Sequence, residues 1–304
     1  MPDRIICVGD INMDILIEVS HPPRTGETIN AYRVSFISGG KGYNQALAAK
    51  RLGGNVIFAC KIGDDAFGNA LKQTLEEENL ETNMVISKGS LSGMAIVMVD
   101  KDAQNYITVN PGSNYELDEK ELHLDLKKSD IVLSQSAIPL TTVESVFKTA
   151  KKAGATTILN TSRVDIEIKK LFGFADYIIM NEVEAAGIAG DVGMSSDKET
   201  LLRQIKKLRA NKAQTIIITL GPKGLVCSKG SEYMEIPGIK VKAVDTSGAG
   251  DCFLGAFSVA LSEGKPLREA LIFANAAAAV SVQRKGTSTS FPNRKDVMKL
   301  MSGN

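Results

Sequence analysis

The sequence predicts an α/β protein with a doubly wound, mostly parallel sheet and a small β-sheet lid. Three observations carry this. Short apolar runs at Val56–Cys60, Ile131–Leu133, Thr157–Leu159, Tyr177–Met180 and Thr215–Thr219 alternate with helical segments. Two of those segments open with capping-box patterns, Thr141-x-x-Glu144 and Ser196-x-x-Glu199. Several runs end in a polar residue or a glycine (Gln135, Asn160, Asn181, Gly221), at the strand ends beyond which such sheets bind ligands.

Taken in order, Ile5–Val8 is a first buried strand ending at Gly9. The next stretch alternates strictly, with Met13, Ile15, Ile17 and Val19 on one face and Asn12, Asp14, Leu16 and Glu18 on the other, so Asn12 and Asp14 point the same way. A turn through Pro22, Pro23 and Gly26 leads to a second such strand around Thr28–Phe36. A hairpin follows later, with Met94, Ile96 and Met98 facing Tyr106 and Thr108 across the polar turn Asp100–Ala103. These strands, within about residues 11–36 and 92–110, stand apart from the main sheet and form the expected lid. The whole of residues 1–304 reads as one domain around them, because no repeat, low-complexity segment or long linker divides it.

Composition narrows the function. Lysine plus arginine (36) balance aspartate plus glutamate (35), so nothing argues for nucleic acid, and no apolar run is long enough for a bilayer. Four cysteines without CxxC spacing suit reduced, buried thiols in a cytoplasmic protein, and two isolated histidines leave little for a catalytic triad or a histidine metal cluster. The expected partners are small molecules.

The chemistry concentrates in Asp245-Thr246-Ser247-Gly248-Ala249-Gly250-Asp251, directly before an amphipathic run. A small-residue loop entering a helix offers free N–H groups and a positive dipole end to an anion, and Gly248, Ala249 and Gly250 present no bulk to a phosphate. Asp251 in the first turn reads two ways, as a helix cap or as a base beside a phosphate site; phosphoryl transfer to an alcohol needs such a base. A second glycine cluster, Ser38-Gly39-Gly40-Lys41-Gly42-Tyr43-Asn44, opens a helix; it is either a plain tight turn or a pocket in which Lys41 and Asn44 address one polar ligand. Neither G-x-x-x-x-G-K-[ST] nor G-x-G-x-x-G occurs. Asn181-Glu182-Val183-Glu184 suits a helix start, and Glu184 also suits holding a magnesium-bound water.

These segments together resemble the ribokinase family of carbohydrate kinases, in the family's order over nearly the full chain. Gly9-Asp10-Ile11-Asn12-Met13-Asp14 resembles its first sugar-binding strand, Gly39-Gly40-Lys41-Gly42-Tyr43-Asn44 its Gly-Gly-Lys-Gly-x-Asn segment, and Asp245–Asp251 its Asp-Thr-x-x-Ala-Gly-Asp signature. The resemblance implies an ATP-dependent kinase acting on the primary hydroxyl of ribose or a related pentose. Asp251 is then the base, and Gly248, Ala249 and Gly250 form the anion hole, while Asn12, Asp14, Gly40, Lys41 and Asn44 hold the sugar. It further implies an ATP site lined by Asn181, Thr219, Gly221, Lys223, Gly224, Gly250 and Asn275, with Glu184 positioning Mg2+. A K+ ion would sit at Asp245, Ser247, Ser281, Arg284, Gly286 and Ser290, several of them acting through backbone carbonyls, and a homodimer would form through the lid. Ala137 stands where the family usually has a sugar-contacting glutamate, and Asn160-Thr161-Ser162-Arg163 where it has Asn-Pro-Ala-Pro. Alternatives are a kinase of the same family for another sugar or a nucleoside, and a non-catalytic sugar or nucleotide sensor.

Overall fold

A computed structural model describes residues 2–102, 104–191 and 197–303. Its main sheet has nine strands: β1 (Arg4–Val8), β4 (Asn55–Gly63), β5 (Glu81–Ser87), β8 (Ile131–Gln135), β9 (Thr156–Asn160), β10 (Tyr177–Asn181), β11 (Thr215–Thr219), β12 (Gly224–Lys229) and β13 (Glu232–Pro237). Their order is β13-β12-β11-β10-β9-β8-β1-β4-β5, parallel from β5 to β11, with β12 and β13 added antiparallel at one edge. The apolar runs of the sequence are these parallel strands. They are apolar on both faces because helices cover both faces.

Strand alternation divides the core in two. Ile5 and Cys7 of β1 join Leu47, Phe58, Phe253 and Phe257 on the side covered by α1 (Lys41–Arg51), α2 (Ala66–Glu77), α6 (Ala249–Ser262), α7 (Leu267–Ser281) and α8 (Arg294–Ser302). Ile6 and Val8 point the other way, toward Val132, Phe147, Leu159 and Ile205 under α3 (Leu140–Ala153), α4 (Glu182–Ala189) and α5 (Lys198–Leu208).

From β1 the chain winds outward to β4 and β5, then returns to β8 on the other side of β1 and winds away. The order therefore reverses between β1 and β8, and a crevice is expected beyond their carboxyl ends. Over that same end lies a second sheet of β2 (Asn12–Glu18), β3 (Arg33–Gly39), β6 (Gly93–Val99) and β7 (Asn105–Asn110), ordered β3-β2-β6-β7. It is the lid read from the alternation. Met98 pairs with Tyr106 and Ile96 with Thr108 as the hairpin pattern requires.

The local details differ in three places. The second lid strand begins at Arg33 rather than near Thr28 and runs on to Gly39, because β2 ends at Glu18, whose partner is Arg33. Thr141 is no cap: Pro139 precedes the first residue of α3, Glu144 pairs instead with Lys148 at 2.6 Å, and the neighbouring Thr142 hydroxyl donates to Leu117 O. Ser196 lies outside the described residues, and the side chain that caps α5 is Asp197, which accepts from Thr200 N.

Helices α1 and α6 approach closely. A Cβ on Gly255 would stand 2.7 Å from Ala48 Cβ, Ala49 N and Gln45 O, so only glycine permits the contact. Gly255→Val should wedge the pair apart, lowering stability by about 1–3 kcal/mol, read as a lower Tm, while a glycine-to-alanine change at the exposed turn residue Gly26 should cost less. An unchanged Tm for Gly255→Val would contradict the close contact.

Candidate functional site

One turn above that contact, the two helices present Asn44 and Gln45 from α1 to Asp251 of α6. Gln45 Nε2 donates to Asp251 Oδ1 at 2.9 Å and Asn44 Nδ2 to Oδ2 at 3.2 Å. Asp251 is thus engaged with α1 rather than with its own helix mouth. The N-cap of α6 is Gly248, no side chain caps the helix, and the Asp251 carboxylate is turned across to α1. It is 8 % exposed, and burial pushes its pKa up, opposed by the Lys41 ammonium and by the bonds from Gln45 and Asn44. A buried carboxylate so held has the character of a general base.

Gly248 adopts φ +73°, left-handed backbone, which lets the loop turn sharply into α6. Cys252 N makes the first bond back into this turn, to Gly248 O, and Ala249 N is taken by Thr246 O at 3.3 Å. The Gly250 and Asp251 N–H groups are left for a ligand, and no atom lies within 4 Å of where a Gly250 Cβ would stand. Gly248 N likewise has no partner among the described residues, so Gly248, Gly250 and Asp251 all present free N–H groups at this mouth.

The glycine-lysine segment comes against the end of β1. Gly40 takes φ +93°, and a Cβ there would lie 2.9 Å from Ile11 Cα. This close fit lets Gly42 N donate to Asp10 Oδ1 at 2.8 Å. Asp10 is buried and its pKa is raised by that burial, opposed by the Gly42 N–H. Asp14 is pushed up to about 7 by burial and then by Asp10. Lys41 is held up chiefly by Asp251. Asn12 spends its Oδ1 on Asn114 at 2.9 Å and one N–H on Asp10 at 3.2 Å, leaving one N–H for a ligand. Asp14, Gly40, Lys41, Asn44 and Asp251 therefore face one crevice at the reversal between β1 and β8, with Asn12 largely engaged in building it.

Along the ends of β10 and β11 lie the residues expected for the nucleotide. Asn181 caps α4 by accepting from Glu184 N, and Glu184 returns the bond to Asn181 N. Glu184 Oε2 also accepts from the Thr161 hydroxyl at 2.7 Å and Oε1 from Asn181 Nδ2 at 2.9 Å. Thr219 is half-buried, Gly221 and Lys223 are exposed, Gly224 is buried, and Asn275 Nδ2 donates to Pro237 O at 2.9 Å. Beyond the anion mouth, Asp245 accepts from Ser247 N and Gly286 N, both at 2.9 Å, which ties two loops together and holds its pKa down against burial. Ser281 and Ser290 are buried nearby in chain terms, at the end of α7 and in the loop after it. The Arg284 guanidinium goes to Asp296 at 2.7 Å, so only its backbone carbonyl is available for the expected role.

Sequence reading missed four residues that build the site. Asp10 stood in a quoted motif without a role. Asn114 bonds both backbone groups of Ile11 and the Asn12 amide, locking the strand that carries Asp14. Gln135, with its amide turned to satisfy both ends, accepts from Gly42 N and donates to Val8 O. Gln45 touches Asp251 and, at 3.3 Å, Asn160. The polar strand end at Asn160 and the Gln after Asn44 were the available signals. Beside them, Ala137 is half-buried, and Ser162 sits at φ +53° with its hydroxyl 2.8 Å from Ser136 Oγ.

Residues 2–294 match the pfkB family carbohydrate kinase. The chain is 37% identical over 308 residues to the ribokinase of Bacillus subtilis, covering 98% of this chain and 100% of that protein. It is 34% identical over 306 residues to the ribokinase of Haemophilus influenzae, covering 99% of each. Among solved structures, it is similar to Arabidopsis thaliana ribokinase complexed with ribose and ATP, with a TM-score of 0.87, 32% identity and coverage of 99% of this chain and 98% of that one. With the fold, the buried acid at an open helix mouth and matches along nearly its whole length, the chain belongs to the pfkB family of carbohydrate kinases.

Proposed function

We propose that this protein transfers the γ-phosphoryl group of ATP to the primary hydroxyl of ribose or a related pentose. The observation that carries the reading is Asp251, a buried carboxylate held away from its own helix beside free N–H groups at that helix's mouth. The sugar lies in the crevice formed by Asp14, Gly40, Lys41 and Asn44, and its hydroxyl oxygen forms the new bond to phosphorus. The bond to the bridging oxygen of ADP breaks, and the hydroxyl proton passes to Asp251. The N–H groups of Gly250 and Asp251 and the dipole of α6 stabilise charge on the transferred group. Retention of both base and anion mouth argues against a sensor.

Asn181, Thr219, Gly221, Lys223, Gly224 and Asn275 are assigned to ATP. Glu184 suits Mg2+ through water: three protein donors occupy its carboxylate, leaving room for a bound water rather than direct ligation. Magnesium would supply charge neutralisation at the phosphates. For K+, Asp245 and the backbone of the loops it ties at Ser247 and Gly286 offer hard oxygen donors beside the anion mouth, and Arg284 would contribute only its backbone carbonyl, its guanidinium being paired with Asp296. The reading places the enzyme in the cytoplasm, in keeping with four buried, unpaired cysteines. Among the described residues no helix is long and apolar enough to cross a membrane.

The lid sheet leaves Val34 and Phe36 exposed on one face and Ile107 and Val109 on the other, the face of Asp14, and we assign this sheet to contact with a second copy of this chain. Light scattering at assay concentrations should give a dimer; a fully active monomer would defeat this assignment.

Asp251→Asn should leave a folded protein whose kcat falls at least about a hundredfold, with a smaller change in sugar KM. Near-normal kcat would leave Asp251 no role as base. Replacing sodium by potassium at equal ionic strength should raise the rate, and an equal rate in both salts would remove K+ from the account.

Ala137 favours a broader sugar range, since a site that hydrogen-bonds a hydroxyl rejects analogues lacking it by roughly 10⁴–10⁵ and a lost carboxylate relaxes one such contact. The kcat/KM values for pentoses, hexoses and nucleosides should show ribose turnover with a modest preference that Ala137→Glu sharpens. Inert ribose beside a well-used nucleoside or hexose would move the substrate within the kinase reading.

A further inference from the structure

Gln45 is completely buried, and its amide stands between two acceptors, Asp251 Oδ1 at 2.9 Å and Asn160 Oδ1 at 3.3 Å. Its orientation is fixed from outside the trio. Asn160 gives its Nδ2 to Ile179 O at 3.1 Å, so its oxygen is the end that faces Gln45, and an ionised Asp251 only accepts. An NH2 group serves both acceptors, one hydrogen each; the reversed amide would set oxygen against oxygen. The consequence is that Gln45 Oε1 is buried without a donor, an arrangement a purely structural glutamine would relax. Asn44 holds the other carboxylate oxygen more loosely, at 3.2 Å, and its own buried Oδ1 has no partner among the described residues.

We propose that Gln45 is the positioning residue of the base: anchored by Asn160 at the end of β9, it claims Asp251 Oδ1 and so makes Oδ2 the oxygen that receives the acceptor hydroxyl's proton. The proposal rests on Asp251 being that base. When sugar enters, the Asn44 bond is the one exchanged, because Asn44 lines the crevice, whereas Gln45 remains tied at both hydrogens. A carboxylate pinned through one oxygen keeps the other directed at the hydroxyl, the preorganisation that proton transfer needs.

The same bond favours the ionised form of Asp251 against the burial that raises its pKa. The charged and titratable groups around it are Lys41 of α1, Asp10 beyond β1, Cys7 of β1 and Cys252 of α6, with Glu184 acting on Lys41 from α4. Lys41 favours the carboxylate and Asp10 opposes it; burial keeps both thiols neutral. Removing the Gln45 donor should therefore raise the Asp251 pKa, and activity lost by its protonation should disappear at higher pH than in the parent.

The test is Gln45→Met in the full chain, assayed with ATP and the best sugar across pH. The acid limb of kcat should move up by about one pH unit, the plateau should fall about tenfold, and sugar KM should change less than about twofold. Asn160→Leu, which keeps the glutamine but removes its anchor, should move the limb the same way by less. A Gln45→Met protein with a lower Tm but an unmoved limb would make Gln45 structural and overturn the proposal; should that variant not fold, an unmoved limb in Asn160→Leu does so. Carbon-13 carboxyl NMR of aspartate-labelled protein, with Asp251 assigned by Asp251→Asn, reads the same titration without turnover. An unmoved Asp251 signal overturns the role of Gln45 alone, and a shifted signal with an unmoved rate profile overturns Asp251 as base.

Discussion

The contact between α1 and α6 is the constraint on which the site depends. It brings Gly255 against Ala48 and Ala49, and one turn further on it sets Asp251 opposite Asn44 and Gln45. A carboxylate placed there loses water, and without donors it would take up a proton or unfold the contact. The Lys41 ammonium and the two amides favour its charged form against that burial, so packing and electrostatics involve the same residues. Small side chains at the contact are needed for the approach, which explains Gly255 on α6 facing Ala48 and Ala49 on α1.

The reversal of strand order supplies the rest. Because β4 and β8 leave β1 on opposite sides, the connections at its carboxyl end diverge and leave a crevice that no helix fills. Asp10 and Gln135 line its floor, and both reach Gly42 at the start of α1. The helix that offers Lys41, Asn44 and Gln45 is thus fastened at its mouth to the strands and along its body to α6. Three acids, the buried Asp10 and Asp251 and the half-buried Asp14, share this space, each shifted upward by burial. Their concentration suits a ligand rich in hydroxyl donors and would be costly for a fold with no ligand to meet them.

The lid grows from the same strands. β2 continues the chain just past β1, and β3 runs directly into α1, so any movement of the small sheet acts on Asp14 at one end and on Gly39–Lys41 at the other. Its outer strands are exposed along most of their length, in contrast to the inner strands of the main sheet, which are covered on both faces. Exposed apolar residues stand on both faces of the lid, Val34 and Phe36 on one and Ile107 and Val109 on the face of Asp14.

By itself the sequence determined the elements and the type of chemistry. Runs of β-branched residues flanked by turn residues marked the parallel strands, alternation marked the lid, and the Gly-Ala-Gly-Asp turn marked an anion site with an acid beside it. These are local properties, set by steric preference and by the period of side chains along a strand or helix. Local signals were misleading where a neighbour intervened, as at Thr141, where Pro139 precedes the helix, and at Thr28, where β2 has no partner left to offer. Only the tertiary structure showed that Asp251 bonds across to α1 and not to its own helix mouth, because those donors lie 206 and 207 residues away in the chain. It likewise gave Gln45 its anchor at Asn160, 115 residues further along the chain. A hydrogen bond acts over about 3 Å, so which distant groups come within that reach follows from how the helices pack and not from the order of residues in either segment.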